Sequence, residues 1–232
     1  MSRFAITDIH GCRESFRQLL EKINFQPSDE LFLLGDYIDR GPDSKGVIDD
    51  IIQLQESGYS IVCLKGNHEL GMLDSRTNLK LRRNWMISWG GLQTIESFDA
   101  LDMDDVDPLY YEFMEGLGYF VVLHDYILVH AGLDFSKEKP LEDKQGMLWI
   151  RRWRDTVDRD WLDGKVIVHG HTPIGKEAIE LQMNCLNEMP VIDIDGGCVY
   201  KCQEERGYLV ALNLDTRELS FQECVDEVAF RT

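Results

Sequence analysis

Five short apolar runs in this chain each end, with almost no spacer, in a compact polar turn. They are FAIT before Asp8-Ile9-His10-Gly11, LFLL before Gly35-Asp36-Tyr37-Ile38-Asp39-Arg40-Gly41, and IVCLK before Gly66-Asn67-His68-Glu69. The last two are YILV before His130-Ala131-Gly132 and VIV before His169-Gly170-His171-Thr172. Apolar runs this short, bounded by glycine and polar residues, read as buried strands. Between the first three lie segments with helical spacing: Phe16, Leu19, Leu20 and Ile23, then Val47, Ile48, Ile51 and Ile52 behind a capping Ser44. Strand, helix, strand, helix, strand is the opening of an α/β fold with a largely parallel sheet. Ligands of open α/β sheets bind beyond the carboxyl ends of the strands. The pattern therefore predicts that Asp8, His10, Asp36, Asn67, His130 and the His169/His171 pair meet at one rim. Five of the six histidines lie in these turns, against the scatter that chance would give.

The rest of the chain is organised around that frame. One domain over residues 1–232 is expected, a length sufficient for a proper core. Within it, residues from about 70 to 118 change character: basic Arg76–Arg83, aromatic Trp85 and Trp89, and the acidic stretch DALDMDDVDP read as a mostly helical cap insertion. The acidic run lacks the glycine and terminal glutamate of an EF-hand and is a solvated loop on this reading. YFVVLHDYILVHAGL is a hairpin turning at His124-Asp125-Tyr126, which leaves His124 as an exposed turn residue. AIEL, VIDIDGG, GYLVALNLDT and ELSFQE are expected as short strands of a second sheet packed on the first. Trp85, Trp89, Trp149 and Trp153 are assigned to packing, and Asp195 to structural support.

Charge and composition exclude several roles. With 42 acidic and 24 basic residues, net charge −18, the surface repels nucleic-acid backbones and anionic membranes. No run approaches the ~20 apolar residues of a membrane span. The N-terminal MSRFAITDIHG lacks the apolar core of a secretory signal, so a cytoplasmic location is the expectation. The six cysteines are scattered without a CxxC pair, and Cys198 and Cys202 read as structural thiols. Oligomeric state is open.

The strand-end residue types narrow the chemistry. Carboxylates, imidazoles and an amide without thiolate suit Mn, Fe, Zn or Ni, and they outnumber what one tetrahedral ion uses. Two divalent ions sharing a bridging carboxylate are the economical arrangement, of the kind that clamps both oxygens of a phosphoryl displacement. The glycines of these turns let backbone approach such ions without a Cβ clash.

Taken in order, DIHG, GDYIDRG, GNHE, HAG and GHT resemble the motifs of the calcineurin-like metallophosphoesterases, and within them the phosphoprotein phosphatases of the small bacterial and phage type. The resemblance runs from Asp8 to Thr172. It implies a two-sheet β-sandwich flanked by helices. It also implies a metal set in which Asp8 and His10 hold the first ion, Asp36 bridges, and Asn67, His130 and His171 complete the second, manganese being the first candidate. His169 precedes the motif glycine and reads as a supporting residue. Pro173 stands where many relatives carry a further histidine, which favours the phosphoprotein phosphatase arrangement. Thr7 replaces the glycine usual before the first aspartate in eukaryotic members, outside the ligand atoms. In the implied chemistry a hydroxide bridging the ions attacks phosphorus, Arg40 grips phosphate oxygens with its planar fork, and His68, aimed by Asp39, is the general acid. LWIRR resembles a WxR motif that would make Arg151 a second phosphate ligand, with Arg152 and Arg154 as alternatives. The expected activity is serine/threonine protein phosphatase, on a phosphoprotein or phosphopeptide. The alternative is symmetrical diadenosine tetraphosphate hydrolysis, on a dinucleoside polyphosphate. An inactive binding module on the same fold is the third reading, disfavoured because no expected ligand, acid or Arg40 clamp is missing.

Overall fold

A computed structural model describes residues 1–203 and 205–228. The chain opens with β1 (Arg3–Ile6), α1 (Arg13–Lys22), β2 (Glu30–Leu33), α2 (Ser44–Glu56) and β3 (Ser60–Cys63). A helical stretch follows: α3 (Asn67–Ser75), α4 (Leu79–Asn84), a π-helical turn (Trp85–Trp89), α5 (Gly91–Ser97) and α6 (Pro108–Glu115). Next come β4 (Phe120–Val122), β5 (Tyr126–Val129), α7 (Lys144–Trp149), α8 (Arg159–Leu162) and β6 (Val166–His169). The chain ends in α9 (Lys176–Asn184), β7 (Val191–Asp193), β8 (Tyr208–Asn213) and β9 (Leu219–Glu223).

Two mixed sheets stack face to face, in the orders β3-β2-β1-β8-β9 and β4-β5-β6-β7. Strand periodicity explains the layering. Phe4, Ile6, Leu31, Leu33, Leu209 and Ala211 face the helical layer of α1 and α2. Their neighbours Ala5, Phe32, Leu34, Val210 and Leu212 turn to the space between the sheets, where they meet Tyr126, Leu128, Val166, Val168 and Ile192. On the second sheet the alternate residues Ile127, Val129, Ile167 and Val191 pack outward against Leu133, Met147, Trp153 and Leu162. Both faces of both sheets are covered, so the central strands are apolar throughout and show no polar alternation.

This is the expected α/β sandwich flanked by helices, with three corrections. AIEL lies in α9, not a strand: Ile179 alone is buried, on the between-sheet core, and the other side chains meet solvent. GYLVALNLDT and ELSFQE form β8 and β9 but extend the first sheet, because β8 pairs antiparallel with β1 (Phe4 opposite Asn213) and leaves the second sheet to β4–β7. The cap of α2 is Asp43, whose carboxylate accepts from Gly46 N at 2.8 Å, while Ser44 turns its hydroxyl to Asp39. The hairpin is as expected: β4 and β5 pair antiparallel, and His124 is exposed in the turn.

β3, β2 and β1 run parallel, as do β5, β6 and β7, so the polar turns that follow β1, β2, β3, β5 and β6 leave from one edge. The α1–α2 pair that backs this edge is tied by Asp50. Its buried carboxylate takes Arg13 at 2.8 and 2.9 Å and Arg17 at 2.7 Å. Burial pushes Asp50 up, but the two guanidinium groups outweigh it and hold the carboxyl below its ordinary value. A depressed carboxylate stabilises the fold above the unfolded-state pKa of ~3.9 and loses that contribution as pH falls through the folded value. Asp50→Asn is expected to lower the unfolding free energy by about 1–3 kcal/mol at neutral pH. Urea titrations of both proteins from neutral pH down to pH ~3 check this, because the gap should close at the acid end.

Candidate metal centre

The predicted site residues meet at the common strand edge. The turn after β1 carries Asp8 and His10, and it is laced to the turn after β2: Asp8 N donates to Gly35 O at 3.1 Å and His10 N to Asp36 O at 2.9 Å. Asp8 Oδ2 accepts from Thr7 Oγ1 (2.6 Å) and from His171 N (3.0 Å). Its other oxygen lies 3.9 Å from His10 Nε2. Asp36 sits between two groups of donors. Oδ2 is 3.6 Å from His10 Nε2, and Oδ1 is 3.5 Å from His130 Nε2. His130 Nε2 in turn lies 3.0 Å from Asn67 Oδ1 and 3.2 Å from His171 Nδ1. All six side chains are buried.

Hydrogen-bond bookkeeping says what these atoms want. His10 Nδ1 is 2.8 Å from Ile38 O and His130 Nδ1 is 3.0 Å from Leu34 O, so each carries its proton on Nδ1 and turns a lone pair inward from Nε2. At His130 that lone pair faces the Asn67 and Asp36 oxygens, which are acceptors too, while at His10 it meets Arg40 Nη1 at 2.6 Å as well as Asp36 Oδ2 at 3.6 Å. Buried lone pairs aimed at one another repel unless a cation lies among them. Electrostatics agree. Burial, then the Asp8 and Glu69 carboxylates, push Asp36 well above the ordinary carboxylate range. Burial also drives His10 and His130 below the usual imidazole value and His171 down to about 2, so the rings are neutral and able to ligate. The nitrogen and oxygen donor set fits two divalent cations sharing Asp36.

Backbone conformation has been bent to reach this arrangement. Among the described residues, eleven non-glycine positions have positive φ, and six of them are Asp8, His10, Asp36, Asp39, Arg40 and His171. Such conformations cost of order 1–3 kcal/mol each and gather where function needs them. Two glycines allow backbone to press against donor oxygens: a Cβ on Gly66 would lie 2.1 Å from Asp36 Oδ1, and one on Gly170 2.2 Å from Asp8 Oδ2.

Beside the donors stand His68, Asp39 and Arg40. His68 Nδ1 is 2.6 Å from Asp39 Oδ2, and its Nε2 is 2.8 Å from Arg40 Nη2. Arg40 Nη1 reaches His10 Nε2 at 2.6 Å. Burial, and next the Arg40 cation, lower the His68 pKa, while burial raises that of Asp39. Of the three candidate arginines, Arg151 is the one on this rim, its Nη1 2.9 Å from Thr172 Oγ1 beside His171. Arg154 is engaged with Gln182 and His169. His169 meets Trp153 edge to face and hydrogen-bonds the Gly170 carbonyl from Nδ1, outside the donor set.

Three supports were not legible in the motifs. Trp85 Nε1 donates to Asp39 Oδ2 at 2.7 Å and Thr94 Oγ1 to Asp39 Oδ1 at 2.6 Å, so the helical stretch aims Asp39 from above. Their signal was absent because both lie in segments without motif or charge. Glu69 was quoted as a motif letter without a role. Fully buried, it accepts from Asp36 N (2.9 Å), Tyr37 N (2.8 Å) and Gly66 N (2.8 Å), fastening the turns after β2 and β3 together.

The sequence pattern of the family described as calcineurin-like phosphoesterase matches residues 1–211. The chain is 29% identical to the symmetrical bis(5'-nucleosyl)-tetraphosphatase of Nitrosococcus oceani, over 89% of this chain and 72% of that protein. It is 27% identical to the enzyme of the same name from Pseudomonas putida, over 89% of this chain and 70% of that one. In three dimensions it is similar to a protein serine/threonine phosphatase from Saccharomyces cerevisiae, with TM-score 0.64 and 14% identity, covering 100% of this chain and 82% of that one, a likeness of fold.

The Glu69 arrangement generates a test. In Glu69→Gln the amide N–H groups would face backbone N–H groups, leaving buried donors unsatisfied. A loss of about 3 kcal/mol or more of stability is expected from urea unfolding. A loss under about 1 kcal/mol would mean that the two turns are held by something else.

Proposed function

Because the chain belongs to the calcineurin-like phosphoesterase family, we propose that it is a metal-dependent hydrolase that cleaves a dinucleoside polyphosphate symmetrically. Asp8, His10, Asp36, Asn67, His130 and His171 would hold two divalent ions, manganese being the first to test. The observation that carries the substrate reading is the span of the named tetraphosphatase relatives, which match 89% of this chain. The sequence reading ranked phosphoprotein first and dinucleoside polyphosphate second, and these relatives reverse that order.

The rim supports a nucleoside. Trp89 lies with its ring centroid 5.6 Å from His68 and 5.4 Å from Trp149, and Trp149 stands 6.2 Å from His171. Together with Leu70, Gly71 and Trp85 they line a cleft of about 190 Å³ opening beside the donor cluster. A base stacked there would leave its phosphates toward Arg40. The sequence reading gave these rings to packing. Trp85 and Trp153 are buried, whereas Trp89 and Trp149 are half-buried.

The bound ions supply the charge that acidifies a water and neutralises phosphate oxygens. The chain's own groups do the rest. Arg40 lies between His10 and His68 and can turn its fork onto two phosphate oxygens. Arg151 takes a third from the Thr172 side. Once Arg40 is paired with phosphate, its charge no longer opposes protonation of His68. Asp39, held by Trp85 and Thr94, then favours the imidazolium, which delivers a proton from Nε2 to the leaving oxygen.

Two experiments test this. Manganese-loaded protein offered diadenosine tetraphosphate and a phosphoserine peptide in parallel should release ADP far faster than phosphate. Trp149→Ala should raise KM for the dinucleotide about 10-fold, within the ~1–3 kcal/mol of one base stack, while p-nitrophenyl phosphate turnover stays within twofold. Phosphopeptide turnover exceeding ADP release would restore the protein phosphatase reading. Separately, His68→Asn is expected to keep its metal content by elemental analysis and to lose about 10²–10⁴-fold in kcat on alkyl phosphates. An equal loss on p-nitrophenyl phosphate, whose leaving group scarcely needs a proton, would remove His68 from the acid role.

A further inference from the structure

Three cysteines that the sequence scatters over more than two hundred positions come together behind the catalytic edge. Cys12 ends the turn after β1 and precedes α1; Cys198 opens a short 3-10 turn after Gly197; Cys224 follows β9. Their sulfurs all lie within 4.8 Å of one another, with Cys12 Sγ 3.9 Å from Cys224 Sγ. Cys12 and Cys198 are buried, and Cys224 is partly exposed, which provides an entry path. The β1–β8–β9 pairing explains the meeting: β8 lies between β1, whose following turn ends at Cys12, and β9, which Cys224 follows, and Cys224 N is fixed to Gly207 O at 2.8 Å.

We infer that Cys12, Cys198 and Cys224 form a site for a thiophilic d10 cation, zinc in the first instance, separate from the carboxylate and imidazole centre. Sulfur spacing is the argument. A zinc–thiolate bond of ~2.3 Å in tetrahedral geometry places sulfurs about 3.8 Å apart, whereas a disulfide needs ~2.05 Å. The 3.9 Å contact has the first spacing. Soft thiolates select zinc, cadmium or copper(I) over the harder ions that suit oxygen and nitrogen donors. Asp226 is not the fourth ligand. Its carboxylate is taken up by Glu14 N and Ser15 N at 3.0 Å each and by the Ser15 hydroxyl. Its carbonyl accepts from Lys201 Nζ, so the fourth position is left to an exogenous ligand. Such an ion would staple the loop at 195–198 and the segment after β9 to a turn two residues from His10. Nothing in this inference depends on which phosphate compound is hydrolysed.

The test uses the full chain, first loaded with manganese, which is hard enough to leave thiolates alone, then titrated with cadmium under argon. A thiolate-to-cadmium charge-transfer band in the ultraviolet, saturating at one equivalent, is expected. The nitrogen and oxygen centre cannot produce it. Cys198→Ser and Cys224→Ser should each weaken cadmium binding by more than about 100-fold, beyond what loss of an outer-shell partner costs. Cys185→Ser and Cys202→Ser should leave it unchanged. If the buried Cys198→Ser fails to fold, the partly exposed Cys224→Ser decides. No band, a band indifferent to Cys224→Ser, or a non-reduced digest in which two of the three cysteines are joined would overturn the site.

Discussion

Everything at the active edge follows from lone pairs that face each other out of reach of water. Asn67 Oδ1 and the two Asp36 oxygens are acceptors by nature, and His130 Nε2 is one by the tautomer that its Nδ1 bond to the Leu34 carbonyl imposes. In an apolar sandwich such a cluster is repulsive, and the interior dielectric magnifies the repulsion. The chain nevertheless assembles it and accepts six left-handed non-glycine residues to do so. That expense is intelligible when cations turn mutual repulsion into coordination. The free energy of that coordination is then also folding free energy.

Something must hold the cluster's backbone while its side chains repel, and the largest share falls to Glu69. One buried carboxylate gathers N–H groups from the turns after β2 and β3 and so fixes Asp36 relative to Asn67. Its own charge adds to the burial and the Asp8 carboxylate that raise the Asp36 pKa. The scaffold residue therefore sharpens the demand for a cation while it builds the seat. Asp39 plays the corresponding part for His68, and it is pinned by Trp85 and Thr94 from a different stretch of chain. The π-helical turn Trp85–Trp89 matters here, since it presents Trp85 downward to Asp39 and Trp89 sideways to His68.

How much of this was readable beforehand divides along a physical line. Strands buried on both faces announce themselves as apolar runs, and a parallel sheet delivers their ends to one edge, so Asp8, His10, Asp36, Asn67, His130 and the His169/His171 pair could be gathered from strand ends, while the choice of His171 came from the motif resemblance. Pairing partners are another matter. Whether β8 joins β1 or β7 depends on long-range contacts that leave no local trace, which is why the C-terminal strands were put in the wrong sheet. AIEL failed because four residues with three apolar positions fit either period. Trp85 and Thr94 were invisible because a single hydrogen bond to a buried carboxylate has no sequence pattern. The cysteine cluster was hidden for the same reason: its members are neighbours only across β1, β8 and β9.

The centre and the rim carry different information. A sandwich of this kind at TM-score 0.64 also houses a protein serine/threonine phosphatase, so neither fold nor strand-edge chemistry selects a substrate. Selection has to come from what surrounds the phosphate. At this rim stand two indoles, Trp89 from the π-helical turn and Trp149 from the end of α7, converging from separate segments with ring centroids 5.4 Å apart. A phosphoserine side chain is a methylene on an extended backbone and gains little from such a wall. A purine has a face to lay against it, and two such faces, one at each end of a polyphosphate, make the centre of that chain the part that reaches Arg40. On the function proposed above, symmetric cleavage would follow from where the base is held, with no difference required at the metal donors.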